Sequence, residues 1–418
     1  MRGIVLSDNY TLPVTDENQN RNVIVVGTSG CGKTMSVIEP TIIGNQMDYS
    51  MVIVDPKGAL YRKYSDEMIK RGFGVATIDL ANLMKSSVGF NPLSTIKNDH
   101  DIFALANMVV YAEKTLYESA KVDPYWNQQA AIFLAIMIDY VRIMKRYEKK
   151  KPTLNDVTNL FISLRTDDCE TDLDRYIERI PSDSLAYKQY MQFKRILRAE
   201  KTVSCIFSTL GGIISPWSSD GMMKLFSKVD FDITMLAREP GIFFLRIPDF
   251  DATFYPVATF MVNYWIDQLF KYADKQVGGK CNVPVQFILD DYSSNITIDN
   301  LPRYISTCRA RNISMMIMIQ SLSQLKVMHE ENAKTIINNC SHGVFFSTLD
   351  IDTAEDLSKR LNIPLNEALS IPDDKVIICR RGKEVMVQKR FDYHRLEENK
   401  DIPVKCINNA KRREEDRD

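Results

Sequence analysis

Eight consecutive residues carry the clearest chemistry in the chain: Gly27, Thr28, Ser29, Gly30, Cys31, Gly32, Lys33 and Thr34. They fit the pattern G-x-x-x-x-G-K-[ST]. Glycines at these positions let successive backbone N–H groups turn inward around phosphate oxygens. Lys33 would then reach the β- and γ-phosphates, and the Thr34 hydroxyl would ligate Mg²⁺. The octet follows the β-branched run 22–26 and precedes a helical stretch, whose N-terminus adds the positive end of its dipole. The spacing therefore predicts a nucleoside triphosphate site.

Such a site needs an acid for the metal. The apolar run 286–289 ends in Asp290 and Asp291. Asp290 is the candidate for the Mg²⁺ shell, and Asp291 for polarising an attacking water. Two further polar residues close their elements, Arg309 in the run 306–312 and Gln320 at the end of the apolar run 313–319. By themselves they read as a solvated arginine and a strand-end amide. A GTPase reading of 55–58 with 227–230 is set aside, because too long a stretch of chain separates the two.

The elements that must position these groups alternate. Apolar runs at 22–27, 50–55 and 74–80 enclose a helical pattern at 59–71 that closes on Gly72. Strand, helix and strand in this order predict a parallel α/β sheet. A helix should start at Lys33 and be ended or kinked by Pro40. From about 99 to 228 the pattern is helical, with a long helix over 123–151, a cap at Thr153 and a core anchor at Trp126. Strand-like runs return at 241–249, 283–291, 313–321 and 342–350, and a hairpin over 375–390 turns at Arg381–Gly382. The expected division is 1–98 and 229–392 for the two parts of a nucleotide domain and 99–228 for an all-helical insertion. A charged tail, expected to be disordered, occupies 393–418.

Composition narrows the function. The 418 residues carry a net charge of −1, so any nucleic-acid contact must come from local basic surface or from several copies. Basic groups gather at 142–151 and 194–201, each of which alone reads as a solvated helix face. The eight cysteines and four histidines are scattered without zinc spacing, which predicts reduced thiols and no metal cluster. The longest apolar run, 130–138, is too short to cross a bilayer.

Taken in order, "GTSGCGKTMSVIEP", "VIVDPKGALY", "FNPL", "DPYW", "FILDDY", "RARNISMMIMIQSLSQL" and "TAEDLSKRLN" resemble the coupling ATPases of type IV secretion, the TraG/TraD-type conjugative DNA-transfer family. The likeness runs over about 20–365. It implies a RecA-like P-loop NTPase sheet with an inserted all-α domain, ATP with Mg²⁺ as ligands, and a homo-hexamer with nucleotide sites between subunits. It implies DNA carried by a relaxase as cargo and type IV secretion channel proteins as partners. Arg309 falls where the family places its inter-subunit arginine, and Gln320 at its γ-phosphate-sensing glutamine. Asp291 stands where the family usually has Glu, and Ala59 where it has an acid. The family's N-terminal membrane helices have no counterpart here. A cytoplasmic protein is expected, peripheral at the membrane only through partners or an anchor outside this chain. The rival expectations are a nucleotide-gated adaptor with little turnover and another DNA motor of the FtsK/HerA type.

Overall fold

The computed structural model describes residues 2–14, 19–113, 123–164, 169–197, 199–248, 251–292, 296–298 and 300–393. Nine strands form one sheet in the order β11-β10-β9-β3-β8-β7-β4-β6-β5. These are β3 (Val23–Val26), β4 (Ser50–Asp55), β5 (Gly74–Asp79), β6 (Gly241–Arg246), β7 (Val285–Leu289), β8 (Ile313–Ile319), β9 (His342–Phe345), β10 (Lys375–Arg380) and β11 (Met386–Lys389). The seven strands from β9 to β5 run parallel, and β10 and β11 close one edge antiparallel. A separate hairpin, β1 (Ile4–Ser7) with β2 (Tyr10–Leu12), packs beside the sheet.

The parallel strands are continuous apolar runs because both faces of the sheet are covered. Alternate residues feed opposite cores. Val23 and Val25 belong to one core with Met51 and Ile53. Ile24 and Val26 belong to the other with Val52 and Val54. The second core is the larger, and it runs on into the helices that separate β5 from β6.

Those helices begin with α3 (Asp99–Val110), α4 (Pro124–Tyr147) and α5 (Leu154–Ser163) and end with α9 (Asp220–Ser227). The run Ala130–Val141 of α4 is buried apart from the half-exposed Ile132. Phe133 stacks on Phe193 with ring centroids 5.3 Å apart and meets Phe207 at 5.0 Å. The Thr153 side chain caps α5 in a reciprocal box with Asp156. Trp126 is half-buried against this core. The expected charged tail lies outside the described residues, apart from its first position.

Pro40 does not end its helix. Thr34–Ile38 is wound as a π-helix, and an α-helix, α1 (Glu39–Gly44), follows with Pro40 in its first turn. The first turn of an α-helix has N–H groups without an intrahelical acceptor, so proline is tolerated there. No helix among the described residues is long and apolar enough to cross a membrane.

Candidate functional site: a phosphate loop facing a buried carboxylate

β3 delivers the glycine-rich loop, and β8 is its neighbour. Gly27 N–H donates to the Ile319 carbonyl at 3.2 Å, so Gln320 stands beside the loop's first residue. β7 is the next strand across, with Leu289 in register with Ile317, so Asp290 and Asp291 emerge at the same edge. β4 lies beyond it with Val54 in register with Leu289, which sets Asp55 next to Asp290. This edge gathers the carboxyl ends of four parallel strands, where open α/β sheets hold their ligands.

Within the loop, Gly30 and Gly32 have φ of +80° and +91°. That left-handed region strains any residue with a Cβ, so glycine suits both places. The Lys33 ammonium is buried and donates to the Gly27 carbonyl and, at 3.0 Å, to the Thr28 carbonyl. Thr34 Oγ1 donates to Asp290 Oδ2 at 3.2 Å. This bond links the two ends of the site, although 256 positions separate the residues.

Asp290 is only 8% exposed, and its carboxyl is pushed up to about 7. Burial is the main cause. The negative charges of Asp291 and Asp55 add to it, while Thr34 and Lys33 pull the other way. Asp55 is also raised, mainly by burial, although it accepts from Ala59 N at 3.1 Å and Tyr61 N at 3.0 Å and so caps α2 (Ala59–Lys70). Adjacent buried carboxylates that Lys33 offsets only in part are an unfavourable arrangement for an isolated chain. A bound divalent cation would relieve it, and the Thr34 hydroxyl and Asp290 carboxylate are the oxygen donors that would hold Mg²⁺, a hard cation that prefers oxygen ligands. Among the described residues no group of three or more His, Cys, Asp or Glu forms a separate metal site.

Asp291 is half-buried with φ +47°, and its N–H donates to Asp290 Oδ1 at 3.1 Å. Aspartate tolerates this conformation better than most residues because its short side chain bonds locally. Arg309 is not brought to this edge. It is exposed in the 3₁₀ turn Cys308–Arg311, which enters β8 at its amino end. Seven strand residues, roughly 20 Å at strand rise, separate it from the loop of its own chain.

Two groups were not among the site candidates read from the sequence. Asp55 was legible only as part of "VIVDPKG", and its place beside Asp290 needs the strand order. Arg390, just past β11, donates from Nη1 to the Cys31 carbonyl at 3.3 Å, and no local pattern points to that contact. Of the basic clusters, Lys194 is bonded to Asp174, and Arg198 lies outside the described residues. Arg142, Arg146, Lys149, Lys150 and Lys151 line a crevice of about 810 Å³ at the end of α4, bordered by residues 90–96 and 229–235 and faced by Asp230 and Asp232.

A glycine-rich loop after one strand, an acid two strands away and a polar strand end between them define a P-loop NTPase fold of the RecA type. The chain belongs to the family of type IV secretory system conjugative DNA transfer proteins, whose model matches residues 7–362. Among solved structures it is similar to the bacterial conjugative coupling protein TrwBdeltaN70, at 16% identity and a TM-score of 0.66. That match covers 88% of this chain and 85% of the other. TrwB in complex with ADP and Mg²⁺ matches at 17% identity and a TM-score of 0.65 over the same shares. VirB4 of Thermoanaerobacter pseudethanolicus matches at 12% identity and a TM-score of 0.54, covering 94% of this chain and 96% of that one. Among curated proteins no match is found.

Proposed function

We propose that the chain is an ATP-hydrolysing coupling protein that brings relaxase-bound DNA to a type IV secretion channel. The observation that carries this reading is the Thr34–Asp290 hydrogen bond at the carboxyl edge of the sheet, beside the Lys33 loop. In this account the backbone of residues 27–34 and the Lys33 ammonium bind the phosphates. Thr34 and Asp290 would hold Mg²⁺, which would supply positive charge against the phosphates. Asp291 orients the attacking water, and Gln320, beside the loop, reads the terminal phosphate.

Arg309 acts on a neighbouring copy. Its place at the opposite edge of the sheet leaves it no route to its own loop, and an exposed arginine suits a site shared between subunits. The active form is then a ring, with six copies as in the family reading. The segment 99–228 serves as the all-helical cargo-reading insertion, and 1–98 with 229–392 as the nucleotide domain. The chain acts on the cytoplasmic side.

A second reading is favoured by one observation. Asp291 is one methylene shorter than glutamate and held in a left-handed conformation, so water is placed less well and turnover is slow. The chain would then work as a nucleotide-gated adaptor. Equilibrium binding of ADP with and without Mg²⁺ tests what both readings share. Mg²⁺-dependent binding that Lys33→Ala removes is expected. Binding that survives Lys33→Ala would overturn the assignment of the loop.

A further inference from the structure

Arg390 touches the phosphate loop from the back, and nothing in the site described above uses it. We infer that Arg390 is a positioning residue for nucleotide binding, orienting the Cys31–Gly32 peptide so that the Gly32 N–H faces the phosphates. The inference rests on the reading of 27–34 as a nucleotide site and adds a residue from the far end of the described chain.

The argument begins with the peptide plane. In a trans peptide the C=O and N–H point in opposite directions. The Cys31 carbonyl and the Gly32 N–H belong to one such plane, and the described chain has no cis peptide. Arg390 Nη1 donates to the Cys31 carbonyl at 3.3 Å, so the Gly32 N–H points away from the arginine. A cationic donor on the carbonyl also polarises the peptide and makes its N–H a stronger donor. Among the described residues no carboxylate pairs with Arg390 within salt-bridge distance. Gly32 permits this approach, because a Cβ there would lie 3.2 Å from Arg390 Nη1.

The segment carrying Arg390 is anchored at each step. The Lys389 carbonyl accepts from Asp8 N at 3.1 Å, and Arg390 N donates to the Asp374 carbonyl at 2.8 Å. Phe391 is 3% exposed and packs on Val5. The Tyr393 ring lies 4.3 Å from Lys63 Nζ, which bonds Glu39 Oε2 at 2.8 Å at the start of α1. These ties fix the backbone on both sides of Arg390 and continue to the helix that follows the loop. The guanidinium is thus held against the loop by the fold rather than by the loop itself.

The test measures ADP affinity in the presence of Mg²⁺ for the full chain and for Arg390→Lys, Arg390→Met and Lys33→Ala. Melting temperatures without nucleotide are recorded in parallel. Met keeps the unbranched stem and removes the charge, so the segment around Arg390 retains its packing. The expected result is ADP binding about tenfold weaker in Arg390→Met, since bonds from charged donors carry about that much affinity. Arg390→Lys should stay within about threefold of the parent, and the nucleotide-free melting temperatures should be unchanged. Undiminished ADP affinity in Arg390→Met overturns the inference. So does equal loss in the Lys and Met variants, or loss that follows a fall in melting temperature, because packing would then explain it. If the unsubstituted chain binds no ADP, the nucleotide-site reading itself fails. If it binds and only Arg390→Met is without effect, that reading stands and the role of Arg390 falls.

Discussion

Replacing Asp290 with asparagine should stabilise the nucleotide-free protein at neutral and alkaline pH. The Asp290 carboxyl titrates near 7 in the fold because burial and the charges of Asp291 and Asp55 oppose ionisation. In the unfolded chain it titrates near the usual 3.9. The folded state therefore binds the proton more tightly, and stability falls as pH rises between about 4 and 7 before levelling off. At about 1.4 kcal/mol per pH step, the ionised carboxylate takes about 4 kcal/mol from the fold above pH 7. Asn cannot ionise, and its amide oxygen can accept the Thr34 hydroxyl bond. Urea unfolding of the parent and of D290N, without nucleotide or Mg²⁺, measures the difference. The stability of D290N relative to the parent should grow by about 3 kcal/mol between about pH 4.5 and pH 8. Comparing two pH values cancels the constant effect of burying an amide. A stability difference that stays flat across this range, or shrinks as pH rises, would refute the assignment of a high titration point to Asp290. Because a metal needs the ionised carboxylate, Mg²⁺-nucleotide binding by the parent should also release a proton below pH 7.

Phe133→Ala, which empties the stack on Phe193 and Phe207, should lower stability by about 3–5 kcal/mol in the same unfolding assay. Asp291→Glu should raise ATP turnover if side-chain reach limits the placement of water, and equal steady-state rates would show that reach is not limiting. Arg309→Ala should leave ADP affinity of the isolated chain unchanged while lowering turnover at protein concentrations where copies associate. Weakened binding at low protein concentration would place Arg309 in its own chain's site and contradict the shared-site account.

The parallel sheet was legible because strands buried on both faces read as unbroken apolar runs, as in Val23–Val26 and Ile313–Ile319. The phosphate loop was legible because its function depends on backbone, and glycine spacing records backbone directly. The pairing of Thr34 with Asp290 could be expected but not measured, since it depends on β8 lying between β3 and β7. Asp55 gained its meaning only from the register of β4 with β7. The hairpin of β1 and β2 was missed, although Asp8–Asn9 between two short apolar runs is a turn signal. Its strands are too short for periodicity to speak, and the long-range packing on Ile42 and Tyr49 decides their conformation. Pro40 was expected to end or kink a helix, and the π-wound turn before it carries no sequence mark. The contact of Arg390 spans 359 positions, which no local pattern can report.

The most direct test of the account is steady-state ATP hydrolysis by the purified chain with Mg²⁺, measured with and without single-stranded DNA and beside Lys33→Ala. The account predicts turnover that DNA stimulates and that Lys33→Ala abolishes. Nucleotide binding without DNA-dependent turnover, at low salt and high protein concentration, would contradict a DNA-coupled ATPase and leave the loop as a switch.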